Sequence, residues 1–176
     1  MEETTVNTTE IYAGRIVNLV VLDVALPDGA PAKRELVRHP GAVAIIAVDA
    51  DLQVLLVRQF RIAAGVVLRE IPAGTLEPGE APLICAEREL REETGYRPGK
   101  LEPMGGIYVA PGYTTEYIHL FYATDLSEDP LAQDADEFIE VDRVPFTEAL
   151  AMIERGDIVD GKSITGLLRV ARRLNL

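Results

Sequence analysis

Four glutamates gathered around one predicted helix have the residue type and spacing of a metal site. They are Glu80, Glu89, Glu92 and Glu93, all within residues 74–96, GTLEPGEAPLICAERELREETGY. Residues three and four apart share one face of an α-helix, so the last three carboxylates are expected to lie close together. Like charges at this spacing oppose helix formation by about 0.2–0.5 kcal/mol per pair, whereas a bound divalent cation would attract each of them. Oxygen ligands without a thiolate pair favour Mg²⁺ or Mn²⁺ over zinc.

The flanking residues predict a rigid element that would hold these acids, although a solvated acidic helix face remains an alternative explanation. Pro82 suits the first turn of a helix, and Gly95 suits the residue that ends it. The predicted core-facing stripe of this helix contains three apolar residues, Leu83, Ala86 and Leu90. The carboxylates are expected to flank that stripe.

Residues 74–96 resemble the signature of the Nudix hydrolases, G-x5-E-x7-R-E-U-x-E-E-x-G-U, in which U is a bulky apolar residue. The specified positions are filled by Gly74, Glu80, Arg88, Glu89, Leu90, Glu92, Glu93, Gly95 and Tyr96. The fit is loosest at Tyr96, since an aliphatic residue is more usual there. The resemblance implies an α/β/α sandwich with a mixed sheet, and hydrolysis of a nucleoside diphosphate linked to another moiety.

The same resemblance implies roles for individual residues. Four residues would provide ligands to Mg²⁺ or Mn²⁺: the Ala73 carbonyl and the carboxylates of Glu89, Glu92 and Glu93. Arg88 and Glu80 would hold those ligands without touching the metal, and Gly74 would form the turn that exposes the Ala73 carbonyl. Arg88 and Glu92 therefore count among the predicted catalytic residues, together with Glu137. For Arg88 alone, a surface ion pair on the helix is the alternative.

Two segments outside the signature resemble the ADP-ribose pyrophosphatase branch of this family. They are VRQFRIAAG at residues 57–65 and APGYTTEYIHLFYA at residues 110–123, and Pro111 lies sixteen positions after Gly95, a spacing associated with that branch. The implied reaction is hydrolysis of ADP-ribose to AMP and ribose 5-phosphate. Two alternatives stay open: hydrolysis of another nucleotide sugar such as GDP-mannose, and a non-catalytic protein that binds ADP-ribose to control a partner.

The branch resemblance also implies residues that contact the substrate. They are Tyr12, Arg15, Arg61, Pro111 and Gly112. The guanidinium of Arg61 has the donor geometry that a diphosphate requires, although an ordinary charge at a strand end is the alternative. Glu137, in the acidic segment 134–137, matches the region of a water-activating glutamate. A solvated loop, or an acidic neighbour as the base, remains possible at that position.

Composition excludes several classes of protein. The 176 residues are 48% hydrophobic, which is enough to bury one sizeable core. The formal charge of -12 argues against nucleic-acid binding through phosphates. Cys85 is the single cysteine, so an intrachain disulfide is excluded and a small packing residue is predicted. The polar start, MEETTVNTTE, indicates neither a signal peptide nor a membrane anchor, and a cytoplasmic location is predicted.

Hydrophobic patterning predicts an N-terminal hairpin followed by an α/β domain. The hairpin comprises residues 15–25 and 33–38, separated by a turn at Pro27-Asp28-Gly29. Further strands are predicted at 43–48, 53–57, 67–71, 105–109, 117–123 and 138–141, with helices over 147–155 and from Ser163 as N-cap to Leu174. By resemblance, residues 1–40 form a hairpin region exchanged within a homodimer, and residues 41–176 form the catalytic domain.

Overall fold

The chain divides into two compact units. A computed structural model describes residues 1–133 and 138–176. One unit contains Met1–Gly41 and Tyr108–Tyr117, and the other contains Ala42–Ile107 and Ile118–Leu176. The predicted base Glu137 lies outside the described residues.

The first unit is built on a three-stranded antiparallel sheet in the order β1-β2-β3. Its strands are β1 (Thr4–Ala13), β2 (Asn18–Ala25) and β3 (Pro31–Arg38). The predicted hairpin is β2–β3, and its turn contains Gly29 at φ 85°. Strand β1 was not predicted, because its polar side chains lack the apolar alternation of a half-buried strand. Every residue of β1 is exposed, so its threonines and valine favour extended backbone without forming a core.

The second unit contains a mixed four-stranded sheet and a three-stranded sheet. The four-stranded sheet has the order β7 (Ala73–Thr75), β4 (Ala42–Ala47), β9 (Tyr117–Glu128) and β8 (Tyr96–Tyr108). The other has the order β10 (Glu140–Pro145), β5 (Gln53–Arg61) and β6 (Val66–Glu70). Strand β4 is parallel to β9 and antiparallel to β7, which confirms the predicted mixed sheet.

Helices cover both faces of β4. The helices are α1 (Pro82–Thr94), α2 (Phe146–Arg155) and α3 (Gly161–Leu174). Alternate β4 side chains such as Val43 and Ile45 pack with Leu90 of α1, whereas Ile46 packs in a second cluster with Leu167 of α3. This alternation produces the predicted α/β/α layers. No helix in the described part of the chain is long and apolar enough to cross a membrane.

Helix α1 has the predicted ends but a different buried face. It begins at Pro82 and is ended by Gly95 in the left-handed conformation at φ 78°. The prediction for Leu83 was wrong, since that side chain is about half exposed. Glu93 is instead buried in the stripe with Ala86, because seven residues correspond to two helical turns.

Helix α3 begins earlier than predicted. Asp160, and not Ser163, is the N-cap, and its side chain accepts a hydrogen bond from the Ser163 amide at 2.9 Å. Both residue types cap helices, so the sequence did not distinguish them. Ser163 is fully buried in the first turn, where its Oγ accepts a hydrogen bond from the Ile71 amide at 2.9 Å.

Candidate active site

Two carboxylates of α1 converge on the start of β7. Glu93 Oε2 accepts a hydrogen bond from the Ala73 amide at 2.9 Å, and the Glu93 side chain is only 3% exposed. A Cβ placed on Gly74 would lie 1.9 Å from Cδ of Glu89, so the Glu89 carboxylate rests directly against that glycine. Glu89 and Glu93, which are four residues apart on α1, therefore contact two consecutive residues of β7, Gly74 and Ala73.

Gly74 leaves open the space that the Glu89 carboxylate occupies. Its φ lies outside the left-handed region, so its backbone conformation suits other residues as well. The predicted turn at Gly74 is wrong, because Gly74 lies within β7. Its missing side chain is what allows α1 to bring Glu89 onto the strand.

Arg88 contacts three of the four glutamates. Its Nε and Nη2 donate to the two oxygens of Glu80 at 3.0 and 2.9 Å. Its Nη1 donates to Glu89 Oε1 and Glu92 Oε2, both at 2.8 Å. One guanidinium therefore offsets the repulsion among these carboxylates and fixes where Glu89 and Glu92 point.

The Arg88 contacts alter the ionisation of their partners. The hydrogen bond from Arg88 lowers the pKa of Glu80 from 4.5 to about 2, and the bond to Glu80 raises the pKa of Arg88. Burial raises the pKa of the neighbouring Cys85 thiol, whose sulfur lies 3.4 Å from Arg88 Nη2. Cys85 is thus a buried thiol in the α1 core, in line with its predicted packing role.

The donor set suits a hard divalent cation. Glu89, Glu93 and the Ala73 backbone offer only oxygen, the ligand type that Mg²⁺ and Mn²⁺ prefer. Glu92 is turned toward Arg88. Within residues 1–133 and 138–176, no three His, Cys, Asp or Glu side chains are close enough together to share one metal ion. Binding by Glu92 would therefore require it to turn from Arg88 toward the other two carboxylates.

Arg61 lies near this carboxylate cluster. Its Nε and Nη2 donate to Oε1 and Oε2 of Glu70 at 2.9 and 2.8 Å. The Glu70 hydrogen bond, together with the charges of Glu93 and Asp160, raises the pKa of Arg61. The Arg61 side chain is 40% exposed, so part of its guanidinium reaches solvent.

Glu70 and Lys162 are not among the functional candidates predicted from the sequence. Glu70 is 2% exposed at the end of β6, and the Lys162 ammonium contacts its carboxylate. Lys162 Nζ also lies 3.1 Å from Oδ2 of Asp160. The signal present in the sequence is an acidic residue ending an apolar strand, but only the fold shows that the Glu70 position is buried.

The family model for the NUDIX domain matches residues 37–165. The chain belongs to the Nudix family. It is 43% identical over 165 residues to an ADP-ribose pyrophosphatase of Bacillus subtilis (strain 168), covering 93% of this chain and 89% of that protein. It is 44% identical, with the same coverage, to a methanol dehydrogenase activator of Bacillus methanolicus.

A solved structure described as an ADP compounds hydrolase has the same fold. Its TM-score is 0.89, and the match covers 99% of this chain and 95% of that chain. At 23% sequence identity, this likeness concerns the fold alone. It confirms the Nudix-type sandwich predicted from the signature.

The remaining predicted substrate residues of this Nudix protein lie in the first unit. Tyr12, Arg15, Pro111 and Gly112 are all exposed. The Tyr12 ring packs over Gly14, where an added Cβ would lie 2.6 Å from Cε1. A recess of about 680 Å³ in this unit is lined in part by Gly112, with Ile11 and Tyr113. The substrate roles of these four residues stay predictions.

We expect Glu80→Gln to remove a pH-dependent part of the stability of the metal-free protein. Because folding lowers the Glu80 pKa from 4.5 to about 2, the charged form is favoured in the folded state. The Glu80 charge should contribute on the order of 1–3 kcal/mol to the free energy of unfolding. This contribution should be complete above about pH 5 and fall as the pH approaches 2.

Urea unfolding of wild type and Glu80→Gln in EDTA, from pH 7 to pH 3, measures this effect. The difference in free energy of unfolding should shrink steadily below about pH 5. A difference that is constant with pH would contradict the assigned role of the Glu80 charge.

We expect Gly74→Ala to weaken binding of Mn²⁺ by on the order of tenfold or more. The added methyl group would overlap the Glu89 carboxylate and displace it from β7. Isothermal titration of the folded protein with Mn²⁺ measures the loss. Gly161→Ala is the matched control, because no atom lies within 4 Å of a Cβ at that position. Equal Mn²⁺ affinity in wild type and Gly74→Ala would show that Glu89 is not a ligand.

Proposed function

We propose that this Nudix protein hydrolyses the diphosphate of ADP-ribose to AMP and ribose 5-phosphate with Mg²⁺ or Mn²⁺. The observation that carries the proposal is the convergence of Glu89 and Glu93 on Ala73 and Gly74 within the family signature. The similarity to an ADP-ribose pyrophosphatase, at 43% identity over 93% of the chain, supports the choice of substrate.

The proposed ligands form the diphosphate end of the site. When bound, the divalent ion would neutralise charge on the phosphate oxygens and activate water. Glu89, Glu93 and the Ala73 carbonyl would hold it, with Glu92 beside them. Arg88 positions two of these groups, because one of its nitrogens donates to both Glu89 and Glu92.

Arg61 is the proposed contact to the substrate diphosphate. The bidentate bond to Glu70 uses Nε and Nη2, so the Nη1 edge of the guanidinium is directed elsewhere. A planar fork of this kind binds phosphate oxygens with defined orientation. By resemblance, Tyr12, Arg15, Pro111 and Gly112 contact the remainder of the nucleotide sugar, and Glu137 is the proposed base that activates water.

The two alternatives make different use of the same site. Another nucleotide sugar, such as GDP-mannose, presents the same diphosphate with a different base and sugar. A non-catalytic role would use the fold only to bind ADP-ribose and control a partner, and one relative is named for activating a methanol dehydrogenase. The filled carboxylate signature favours hydrolysis over binding alone.

A substrate panel tests the proposed activity. With saturating Mg²⁺, we expect kcat/KM for ADP-ribose to exceed the values for GDP-mannose and ADP-glucose. Glu93→Gln keeps the shape of the side chain but removes a ligand charge, so its rate should fall by on the order of a hundredfold. The Glu93→Gln variant also serves as the control for a contaminating hydrolase.

The outcomes of the panel are distinct. Faster cleavage of GDP-mannose or ADP-glucose would show that the proposed substrate, ADP-ribose, is wrong. Binding of ADP-ribose without turnover over hours would instead support the non-catalytic alternative. Full activity of Glu93→Gln would contradict the metal assignment.

We also propose that the protein works as a cytoplasmic homodimer in which the N-terminal hairpin region is exchanged. The support is the exposed apolar surface of the first unit, where Val6, Ile11, Ile16 and Val17 are 72, 56, 67 and 42% exposed. Four exposed apolar side chains within residues 6–17 favour an interaction site in this part of the chain.

We expect Ile11→Glu to convert the dimer to monomers and to abolish hydrolysis, because a charge would be buried in the subunit interface. Light scattering coupled to size exclusion gives the mass. Val159→Glu is the control, since Val159 is similarly exposed, at 59%, on the second unit. An Ile11→Glu protein that is monomeric and fully active would refute the shared site.

A further inference from the structure

We propose that Glu70 and Lys162 are positioning residues that hold Arg61 in place for the substrate diphosphate. This inference rests on the proposed function, because it gives Arg61 its role in binding phosphate. Neither residue belongs to the Nudix signature, which begins at Gly74. Their effect on the reaction would pass entirely through Arg61.

The Arg61–Glu70 pair fixes the orientation of the guanidinium. Both carboxylate oxygens of Glu70 accept from Arg61, at 2.9 and 2.8 Å, so the plane of the guanidinium is fixed. Glu70 is 2% exposed, whereas the Arg61 side chain is 40% exposed. One edge of the guanidinium is therefore anchored in the protein interior, and the rest can meet an anion.

Lys162 changes the charge balance around Arg61. An isolated Arg–Glu pair is formally neutral, and it would attract a diphosphate only weakly. Lys162 contacts the same Glu70 carboxylate, so two cations share one anion. Asp160, 3.1 Å from Lys162, is itself engaged by the amide of Ser163 at the N-terminus of α3, where the helix dipole favours an anion. The four side chains together are formally neutral, so Lys162 offsets part of the Glu70 charge that would otherwise fall on Arg61 alone.

A hydrogen bond beside Glu70 makes this arrangement rigid. Ile71, the residue after Glu70, donates its amide hydrogen to Ser163 Oγ in the buried first turn of α3. Glu70 and Lys162 are thereby held by the same contact between β6 and α3. An error of about 1 Å in the placement of a binding group can cost on the order of a hundredfold in rate, so such support affects catalysis.

A double-mutant cycle tests the proposal. It compares wild type, Arg61→Ala, Glu70→Gln and the double variant in kcat/KM for ADP-ribose. We expect Glu70→Gln to lower kcat/KM by roughly 10–100-fold when Arg61 is present, and by less than about threefold in the Arg61→Ala background. The loss of kcat/KM caused by Lys162→Met should likewise be present with Arg61 and absent in the Arg61→Ala background.

Unfolding measurements separate positioning from stability. Glu70→Gln is expected to lower the melting temperature in both backgrounds, whereas its effect on kcat/KM should disappear when Arg61 is absent. Glu102→Gln is the control, because it removes the 2.6 Å ion pair to Arg173 without contacting Arg61, and it should leave kcat/KM unchanged. An equal loss of kcat/KM in both backgrounds would overturn the proposal.

Failure of the proposed function gives a different result. If wild type cleaves another nucleotide sugar better than ADP-ribose, the cycle is run with that substrate, because the diphosphate is common to both. If wild type cleaves none of the panel, the cycle is run on the Kd for ADP-ribose by calorimetry with Mg²⁺. The positioning role would be overturned if the effects of Arg61→Ala and Glu70→Gln were additive, or if wild type showed no measurable binding.

Discussion

Residues 70–73 constrain the second unit because four consecutive positions each contact a different element. The contacts are Glu70 with Arg61 of β5, Ile71 with Ser163 of α3, Pro72 with Ile45 of β4, and Ala73 with Glu93 of α1. One polar group at each of these four positions is therefore paired within the fold. The segment sets the position of α1 relative to the sheet, and hence the position of the carboxylates.

The two arginines near these carboxylates have different electrostatic roles. Arg88 donates to Glu80, Glu89 and Glu92, so its charge is used within the protein. Arg61 has one bidentate partner and is more exposed. Arg61 is therefore the proposed contact to an anionic substrate, while Arg88 fixes the orientation of the proposed ligands Glu89 and Glu92. The chain has a formal charge of -12, which would repel a phosphate group. Because Arg88 is used within the protein, Arg61 is the cation that remains accessible near the carboxylates.

The parts of the fold that were predictable are those fixed by local chemistry. Pro82 and Gly95 marked the ends of α1 because one removes an amide hydrogen and the other adopts φ 78° without a Cβ. The α/β/α layers came from the Nudix resemblance. Asp160 as N-cap and the exposed strand β1 were missed, because capping and pairing there depend on neighbours that local patterns do not specify.

The candidate site was predictable only where the signature names residues. Periodicity placed the acids beside the apolar stripe of α1, yet Glu93 is inside it, because the Ala73 amide compensates for its burial. Glu70 is buried for the same kind of reason, since Arg61 and Lys162 both pair with it. A hydrophobicity pattern scores such a glutamate as surface. Buried acids with specific partners are therefore what sequence patterns miss, and in this fold they connect the proposed carboxylate ligands to Arg61, the proposed contact to the substrate.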